Sequence, residues 1–513
     1  MSRTLFTDVY VYDADSKAGM FGPTDVLVEG TSIRRIGAGA AAQFTAAETR
    51  EGDARIDGGA HHVLVPGLIN AHYHSPANHL KGLLPSLPLE SFMLYESPAD
   101  PRLRPSPREA YLRTILAAIE MLRTGTTTVQ DDAFLMPHPT PDIIDAVMQA
   151  YADSGIRASV ALDQPTLTER DKLPFIGGYH DEALQAMLDA EAPLGAAGLL
   201  ENYDHLFGTW HGREDGRLTA AVSISAPQRV DVPYFEAVND LSRRHSVPLF
   251  AHMLETKVQR TLATEQQRFA GRSLVEYTAD LGLLSDRMNV IHAVWTDDRD
   301  LELIADAGAV IAHNPVSNLR LGSGVAPYRR MLDLGIPVAL GIDEAICDDS
   351  ANLWGVVKTA GLIHNVGGRP SDEWPTAREV LDSLWRGGAA ALLQSDRLGE
   401  IREGFEADIT MLDLHGSAFT PLNDLRGQLV YCEYGADVRL TMVAGRVVFD
   451  GSRVTSVDET ALLAEAREVF AHKLPVIERA NREADALRPH YDAMIAEAAR
   501  TDVGMTRWIG TPS

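Results

Sequence analysis

Short apolar runs alternate with longer segments of helical period through the middle of the chain. The longer segments include 106–125 and 297–308, where apolar residues recur at helical spacing between a polar start and a glycine. Runs without apolar–polar alternation are typical of parallel strands, because such strands are buried on both faces. The pattern predicts an α/β fold, a (β/α)8 barrel, although the run at 218–226 follows a long irregular stretch and leaves the count open by one strand. The runs are 62–70, 126–131, 156–163, 218–226, 247–252, 288–294, 309–315 and 337–343.

The two ends of the chain have a different pattern. Residues 1–61 and 404–452 are rich in strand and turn signals, as in "TLFTDVYVYD" and "VRLTMVAGRVVFDG". We expect them to form one small β-sandwich domain, with the barrel, 62–403, inserted between its halves. Residues 453–513 form a further unit, which is helical by period over 459–500 and whose charges fit a solvated face.

Composition and charge exclude several classes of protein. The 513 residues include 72 acidic and 46 basic side chains, a formal net charge of −26. Nucleic acid and anionic membrane surfaces repel such a chain, so we expect neither as a partner. No signal peptide and no run of ~18 apolar residues is present. Two cysteines without metal-motif spacing fit a reducing compartment, so we expect a cytoplasmic protein.

Two histidines stand at the end of the first predicted barrel strand, in "LINAHYH". Residues i and i+2 of a strand project to the same side, so His72 and His74 point together. They are separated by about 6–7 Å along the strand, close enough to converge on one ion. The carboxyl ends of barrel strands are also where barrel active sites are built.

Three other strands end in residues of the same chemistry. Strand 5 ends with His252, strand 6 with His292 and strand 8 with Asp343. The combination predicts a metal site in which His72, His74, His252 and Asp343 are ligands. Nitrogen ligands with one carboxylate suit Zn²⁺ or another first-row divalent ion such as iron. Glu255 follows His252 by three residues and is either a general acid/base beside the ion or a cap for the next helix.

The chain resembles the amidohydrolase superfamily through "PGLINAHYH", "AHMLET", "VIHAV", "HNPVSNLRLGSG" and "LGEIREGFEADITMLDL". It is most similar to the mononuclear branch of cytosine deaminases, adenosine-type deaminases and triazine hydrolases. The resemblance implies a barrel inserted in a β-sandwich, the four ligands named above, Glu255 as proton shuttle, His292 as the residue that orients the nucleophile or the substrate, and a homodimer or larger homo-oligomer. In the mechanism that we expect, Asp343 and His292 together hold the nucleophile in orientation. Binuclear branches use a carboxylated lysine on strand 4. Because "LTAAVSISAPQRV" contains no lysine, we expect one metal ion.

The chain also departs from that family. A glycine or serine commonly follows the strand-8 aspartate, but here Glu344 follows Asp343. Glu344 either favours a cationic or amino-bearing substrate or points outward. Segment 79–98 lies where the family places residues that gate the substrate, and His313 either contacts substrate or packs in the core.

The functional hypotheses are three. The first is hydrolytic deamination of a small aminated nitrogen heterocycle of the purine, pyrimidine, pterin or triazine type. The second keeps the site but changes the bond, to a cyclic amide or amidine, or to another ring leaving group such as an alkylamine or chloride. The third is a metal-binding protein without catalysis, which the presence of Glu255 disfavours.

Overall fold

The computed structural model describes residues 2–46, 51–98, 100–178 and 181–510. Its strands in chain order are β1 (Arg3–Tyr12), β2 (Met20–Glu29), β3 (Ser32–Ile36), β4 (Ala54–Asp57), β5 (His62–Pro66), β6 (Leu68–Tyr73), β7 (Thr126–Ala133), β8 (Arg157–Leu162), β9 (Leu218–Ala220), β10 (Val222–Ser223), β11 (Leu249–Met253), β12 (Met288–His292), β13 (Val310–His313), β14 (Val338–Leu340), β15 (Ile409–Asp413), β16 (Val438–Val443) and β17 (Arg446–Phe449).

The α-helices in chain order are α1 (Ala40–Ala46), α2 (Leu89–Glu96), α3 (Pro107–Arg123), α4 (Pro141–Ser154), α5 (Glu169–Lys172), α6 (Glu182–Leu188), α7 (Ala196–Thr209), α8 (Arg213–Gly216), α9 (Val232–His245), α10 (Lys257–Glu265), α11 (Leu274–Asp280), α12 (Asp298–Ala307), α13 (Pro315–Arg320), α14 (Tyr328–Asp333), α15 (Leu353–Ile363), α16 (Ala377–Asp382), α17 (Gly388–Ala391), α18 (Leu425–Tyr431), α19 (Glu459–Ala471) and α20 (Leu474–Arg500).

The strands from β6 to β14 pair in parallel and in chain order. β9 and β10 share the fourth position, because Ala221 between them donates its N–H to Val160 O on β8 at 2.8 Å. The ring closes between the last and first positions, where Asp343 N donates to His72 O at 3.0 Å and His74 N to Asp343 O at 2.7 Å. The predicted (β/α)8 barrel is therefore confirmed, and the fourth strand is real although a single residue interrupts it.

Strands from both chain ends form one mixed sheet in the order β17-β16-β15-β5-β1-β2-β3, with β4 beside β1. One face of this sheet has its own hydrophobic core, separate from that of the barrel. Representative members of the core are Phe6, Val26, Leu64, Ile409 and Met442.

The first predicted run, 62–70, is two strands rather than one. β5 pairs antiparallel with β15 in the mixed sheet, and only β6 enters the barrel. Gly67 lies between the two strands. Only glycine fits there, because a β-carbon at this position would lie 2.1 Å from Thr127 Oγ1. By pairing, residues 62–66 thus belong with the mixed sheet instead of the barrel. The other predicted domain limits stay predictions.

Helix α20 packs its apolar side against the barrel mouth. Ala484, Tyr491 and Met494 on this side are buried. Ser91 and Tyr95 of α2 donate hydrogen bonds of 2.8 Å to Asp492 and Asp485 of α20. The C-terminal helical segment is therefore joined to the segment that precedes the barrel's second strand. In the described ranges, no helix is both long and apolar enough to cross a membrane.

Candidate metal centre and its pocket

His72 and His74 meet at the carboxyl end of β6, with ring centroids 4.7 Å apart. Each ring is oriented by a contact at Nδ1. His72 Nδ1 lies 3.4 Å from Gln130 Oε1, and His74 Nδ1 lies 2.5 Å from the Asp132 carbonyl oxygen. These contacts leave both Nε2 atoms directed toward Asp343, at 3.2 and 3.4 Å from its Oδ1. Such outer contacts are what orient metal-binding imidazoles in proteins.

His252 completes the cluster from β11. Its Nδ1 lies 2.8 Å from the Ser225 carbonyl oxygen, and its ring centroid is 4.9 Å from that of His72. His72, His74, His252 and Asp343 each offer a ligand atom, and these four atoms all lie within 4.8 Å of one another. The structure therefore brings together all four residues that the sequence predicted as ligands.

The backbone is strained at the ends of β12 and β14, the sixth and eighth strands of the barrel. His292 and Asp343 have φ values of 72° and 75°, in the left-handed region that non-glycine residues rarely adopt. Gly341 lies just before Asp343, where a β-carbon would approach His72 Cβ to 2.9 Å. Strain of this kind persists only where the surrounding structure maintains it, and it is concentrated at functional sites.

The cluster fits a divalent ion. His72 Nε2 is buried and makes no hydrogen bond. Burial lowers the pKa of His72 to about 4 and that of His252 well below its ordinary value, so both rings are neutral and able to bind metal. Burial alone would raise the pKa of Asp343, but the imidazoles of His72 and His74, at 3.2 and 3.4 Å from its Oδ1, hold that pKa well below its usual range. Burial alone would lower the pKa of His74, but the contact with Asp343 raises it well above its ordinary value. Imidazoles with one carboxylate are ligands that Zn²⁺ prefers.

Glu255 and His292 lie beside this cluster. Glu255 follows β11, is 2% exposed, and has Oε2 3.6 Å from His292 Nε2. His292 is held from its other side, since its Nδ1 lies 2.9 Å from Asn318 Oδ1. Burial raises the pKa of Glu255 well above its ordinary value, and the charges of Asp343 and Glu90 add to the effect. Thr256, rather than Glu255, caps helix α10. Glu255 is therefore free of the capping role and faces the cluster.

Further acids line the same small pocket. Glu344 is 7% exposed, and it lines this pocket together with Glu96 of α2. Burial raises the pKa of Glu344 well above its ordinary value, and the charge of Glu96 adds to the effect. Cys347 lies next to them, with Sγ 3.6 Å from Glu344 Oε2. Glu344 thus lies along the pocket, which favours the inward alternative of the two that the sequence left open. Glu96 belongs to the predicted gating segment, 79–98.

Sequence reasoning missed two aspartates near the cluster. Asp132 and Asp163 end strands 2 and 3 of the barrel and come within 4.8 Å of a ligand atom of His252. Their positions in "TTTVQDDA" and "VALDQ" are the same strand-end signal that identified the histidines, so the sequence contained the information. His313, in contrast, turns away from the pocket. Its Nε2 lies 3.1 Å from His364 Nε2 and its ring stacks on Tyr328, so it packs in the core.

A parallel barrel with imidazoles and carboxylates converging at the carboxyl ends of its strands defines a metal-dependent hydrolase. The model of the Amidohydrolase family matches residues 63–448. The chain belongs to this family and, like its deaminase relatives, is a hydrolase that acts on carbon–nitrogen bonds.

Individual relatives agree in length and fold. The chain is 29% identical over 469 residues to 5'-deoxyadenosine deaminase of Methanosarcina barkeri, covering 91% of this chain and 98% of that protein. It is 33% identical over 411 residues to 5-methylthioadenosine/S-adenosylhomocysteine deaminase of Nitratidesulfovibrio vulgaris, covering 79% and 84%. The crystal structure of atrazine chlorohydrolase from Arthrobacter aurescens TC1, complexed with zinc, superposes with a TM-score of 0.78 at 26% identity, covering 91% of this chain and 100% of that one.

Proposed function

We propose that the protein catalyses hydrolytic deamination of an aminated nitrogen heterocycle, with one divalent ion, zinc in preference to iron, held by His72, His74, His252 and Asp343. The observation that carries this proposal is the position of Glu255, a buried carboxyl next to the ligand cluster and 3.6 Å from His292. A protein that only stored a metal would have no use for a proton carrier there. The two curated deaminases that the chain resembles support the same reaction class.

An ion at this cluster would supply Lewis-acid activation of water at neutral pH. Glu255 takes a proton from the attacking water and delivers it to the ring nitrogen next to the amino-bearing carbon. The water oxygen bonds to that carbon, a second proton reaches the amino group, and ammonia leaves as the ring carbonyl forms. His292 and Asp343 orient the water, since His292 Nε2 lies 3.9 Å from Asp343 Oδ2. General acid–base help of this type contributes about 10²–10⁴-fold.

Glu344 and Glu96 support an amino-bearing substrate. Two carboxyl groups that line the pocket at the cluster offer acceptors for the N–H groups of an amino-substituted ring. The glycine or serine that the family commonly carries at position 344 offers no such carboxylate. We therefore assign these two residues to the recognition of the amino or amidine edge.

A second candidate is displacement of another ring leaving group, such as chloride or an alkylamine. The likeness to atrazine chlorohydrolase favours it. The same activated water would serve, so the two candidates differ in the product released and not in the metal cluster.

The test is an ammonia-release screen on metal-loaded protein over aminopurines, aminopyrimidines, aminopterins and aminotriazines, with chloride and alkylamine release measured in parallel. Glu255→Gln should keep its metal by elemental analysis and lose about 10²–10⁴-fold in turnover. Glu265→Gln, the same change at an exposed position of α10, is the control and should match the wild type. Chloride or alkylamine as the released product would replace deamination by the second candidate, and substantial activity in Glu255→Gln would remove Glu255 from the reaction.

We propose further that the protein works in the cytoplasm as a homodimer or larger homo-oligomer. Both cysteines, Cys347 and Cys432, are free thiols, which fits a reducing compartment. Light scattering on purified protein measures the assembly, and a monomeric mass would contradict that part of the proposal.

A further inference from the structure

The cluster of candidate ligands, His72, His74, His252 and Asp343, lies next to a second, much larger cavity. The pocket at the cluster itself has a volume of about 40 Å³, whereas the adjoining cavity has about 490 Å³. The small pocket has space for water and an exocyclic amino group, but not for a whole heterocycle. A ring whose reacting carbon lies at the cluster must therefore place its body in the larger cavity. The two spaces adjoin, since both are lined by Leu89, Met93, Phe134, Arg229 and Gln259.

The larger cavity is mainly apolar beyond this shared part. Its charged lining residues are few, and Lys172 is already paired with Glu169 at 2.7 Å. Sites for small molecules commonly have 300–1,000 Å³ and a mostly apolar lining. A single aminated ring would leave much of this space empty. The apolar lining includes Met93, Met136, Met187, Leu173, Val258 and Leu487.

Helix α20 lines the cavity and lies outside the residues that the family model matches. The family match ends at residue 448, and Ala480, Ala484, Leu487 and Tyr491 of α20 all line the cavity. The hydrogen bonds from Ser91 and Tyr95 of α2 keep this helix in place. The space is therefore a property of this chain's C-terminal segment and not of the barrel alone.

Arg229 lies where the two spaces join. Its guanidinium donates to Ser225 Oγ at 3.2 Å and contacts Met93 Sδ at 3.0 Å, and it makes no ion pair with any described residue. A half-buried guanidinium with unused N–H donors can receive a hydrogen-bond acceptor of the substrate. The acceptor would lie between the ring and whatever fills the apolar cavity.

We propose that this cavity is a subsite for a second moiety of the substrate. The substrate is then an aminated heterocycle that carries a hydrogen-bond acceptor and, beyond it, a long apolar arm such as an alkyl, aryl or thioether group. A free base would lack this arm. The inference rests on the proposed function and specifies its substrate class. The cluster performs the reaction on the ring, and the cavity bound by α20 selects the arm.

The experiment fills the cavity and compares ring substrates with and without the arm. Ala484→Trp places an indole in the cavity, and Ala486→Trp makes the same change at an exposed position of the same helix. Leu487→Trp is a second filling variant at a half-buried position, for use if Ala484→Trp does not fold by circular dichroism. Each variant is assayed with bare aminopurine, aminopyrimidine, aminopterin and aminotriazine rings and with the same rings bearing hexyl or benzyl groups. Binding of the neutral fluorophore N-phenyl-1-naphthylamine is measured separately.

The wild type should process the substituted ring about 10- to 100-fold better in kcat/KM than the bare ring, as expected for burial of one large apolar group. The filling variants should lose that advantage and at least tenfold in fluorophore affinity, while Ala486→Trp retains both. Equal rates for bare and substituted rings in the wild type, or equal losses with both, would overturn the subsite. If no ring releases ammonia but the filling variants alone lose the fluorophore, the proposed deamination fails and the cavity stands as a binding site.

Discussion

Replacement of Arg157 by methionine tests how much the ion pairs between the barrel and the mixed sheet contribute to folding stability. Arg157 begins β8, at the end of the barrel opposite the metal cluster. Its Nε lies 2.7 Å from Asp408 Oδ2, and its Nη2 lies 3.0 Å from both Asp408 Oδ1 and Glu406 Oε2. The side chains of Arg157, Asp408 and Glu406 are 3%, 6% and 17% exposed. The arrangement is a buried ion-pair network between the barrel and the strand that follows it.

The expected loss of folding stability depends on the hydrogen bonds that Asp408 and Glu406 keep when Arg157 is replaced. Removal of one partner of a buried ion pair typically costs about 3–5 kcal/mol, because a charge is left buried without compensation. Asp408 retains the N–H of Ala444 at 2.7 Å and the Thr128 hydroxyl at 3.4 Å, and Glu406 reaches solvent. We therefore expect Arg157→Met to lower the free energy of unfolding by about 3 kcal/mol, the lower end of that range.

The assay is urea unfolding followed by circular dichroism, together with kcat/KM. Arg446→Met is the matched control, because Arg446 and its partner Asp215 are 69% and 74% exposed and such pairs contribute about 0–1 kcal/mol. The kcat/KM of folded Arg157→Met should equal that of the wild type, since Arg157 lies at the end of the barrel opposite the candidate metal site. Equal unfolding midpoints for Arg157→Met and Arg446→Met would refute the reasoning.

Two further predictions concern pH and metal. Burial lowers the pKa of His364 to about 4 from 6.5. Between these pH values the unfolded chain therefore binds more protons at His364 than the folded protein does. As the pH falls from 6.5 to 4, this difference lowers the free energy of unfolding by up to about 3 kcal/mol. His364→Asn should unfold with a shallower pH dependence in this window, and an unchanged slope in urea titrations would contradict the prediction. His252→Ala should lose the ion by elemental analysis and should no longer show a fall in melting temperature on addition of chelator, whereas metal content equal to wild type would exclude His252 as a ligand.

The local parts of the fold and site could be predicted because they depend on short-range patterns. Ser106 and Glu109 form the capping box that begins α3, and Asp297 and Gly308 cap the two ends of α12. The clustering of the four candidate ligands could be predicted because carboxyl ends of parallel strands share one edge of the barrel, so position along each strand was sufficient. The same rule would have identified Asp132 and Asp163.

What could not be predicted depends on contacts between distant segments. The pattern of 62–70 reads as one apolar run, and only pairing of β5 with β15, more than 300 residues later, shows that it divides. The shared pocket lining of Glu96 and Glu344 likewise brings together segments that no sequence period relates. The amphipathic period of 459–500 predicted a helix but contained nothing about which surface that helix covers.

The proposed reaction and the proposed specificity use different parts of the chain. The candidate ligands and Glu255 come from barrel strands and the residues that directly follow them, and the strained backbone at His292 and Asp343 is maintained by hydrogen bonds between neighbouring strands. The lining of the large cavity comes from α2, α5, α6, α10, α20 and the loops between barrel elements. Loops and outer helices tolerate change better than barrel strands, so the proposed arm subsite can vary while the candidate ligands stay in place. On this proposal the arm is selected in part by a helix that lies beyond the residues matched by the family model.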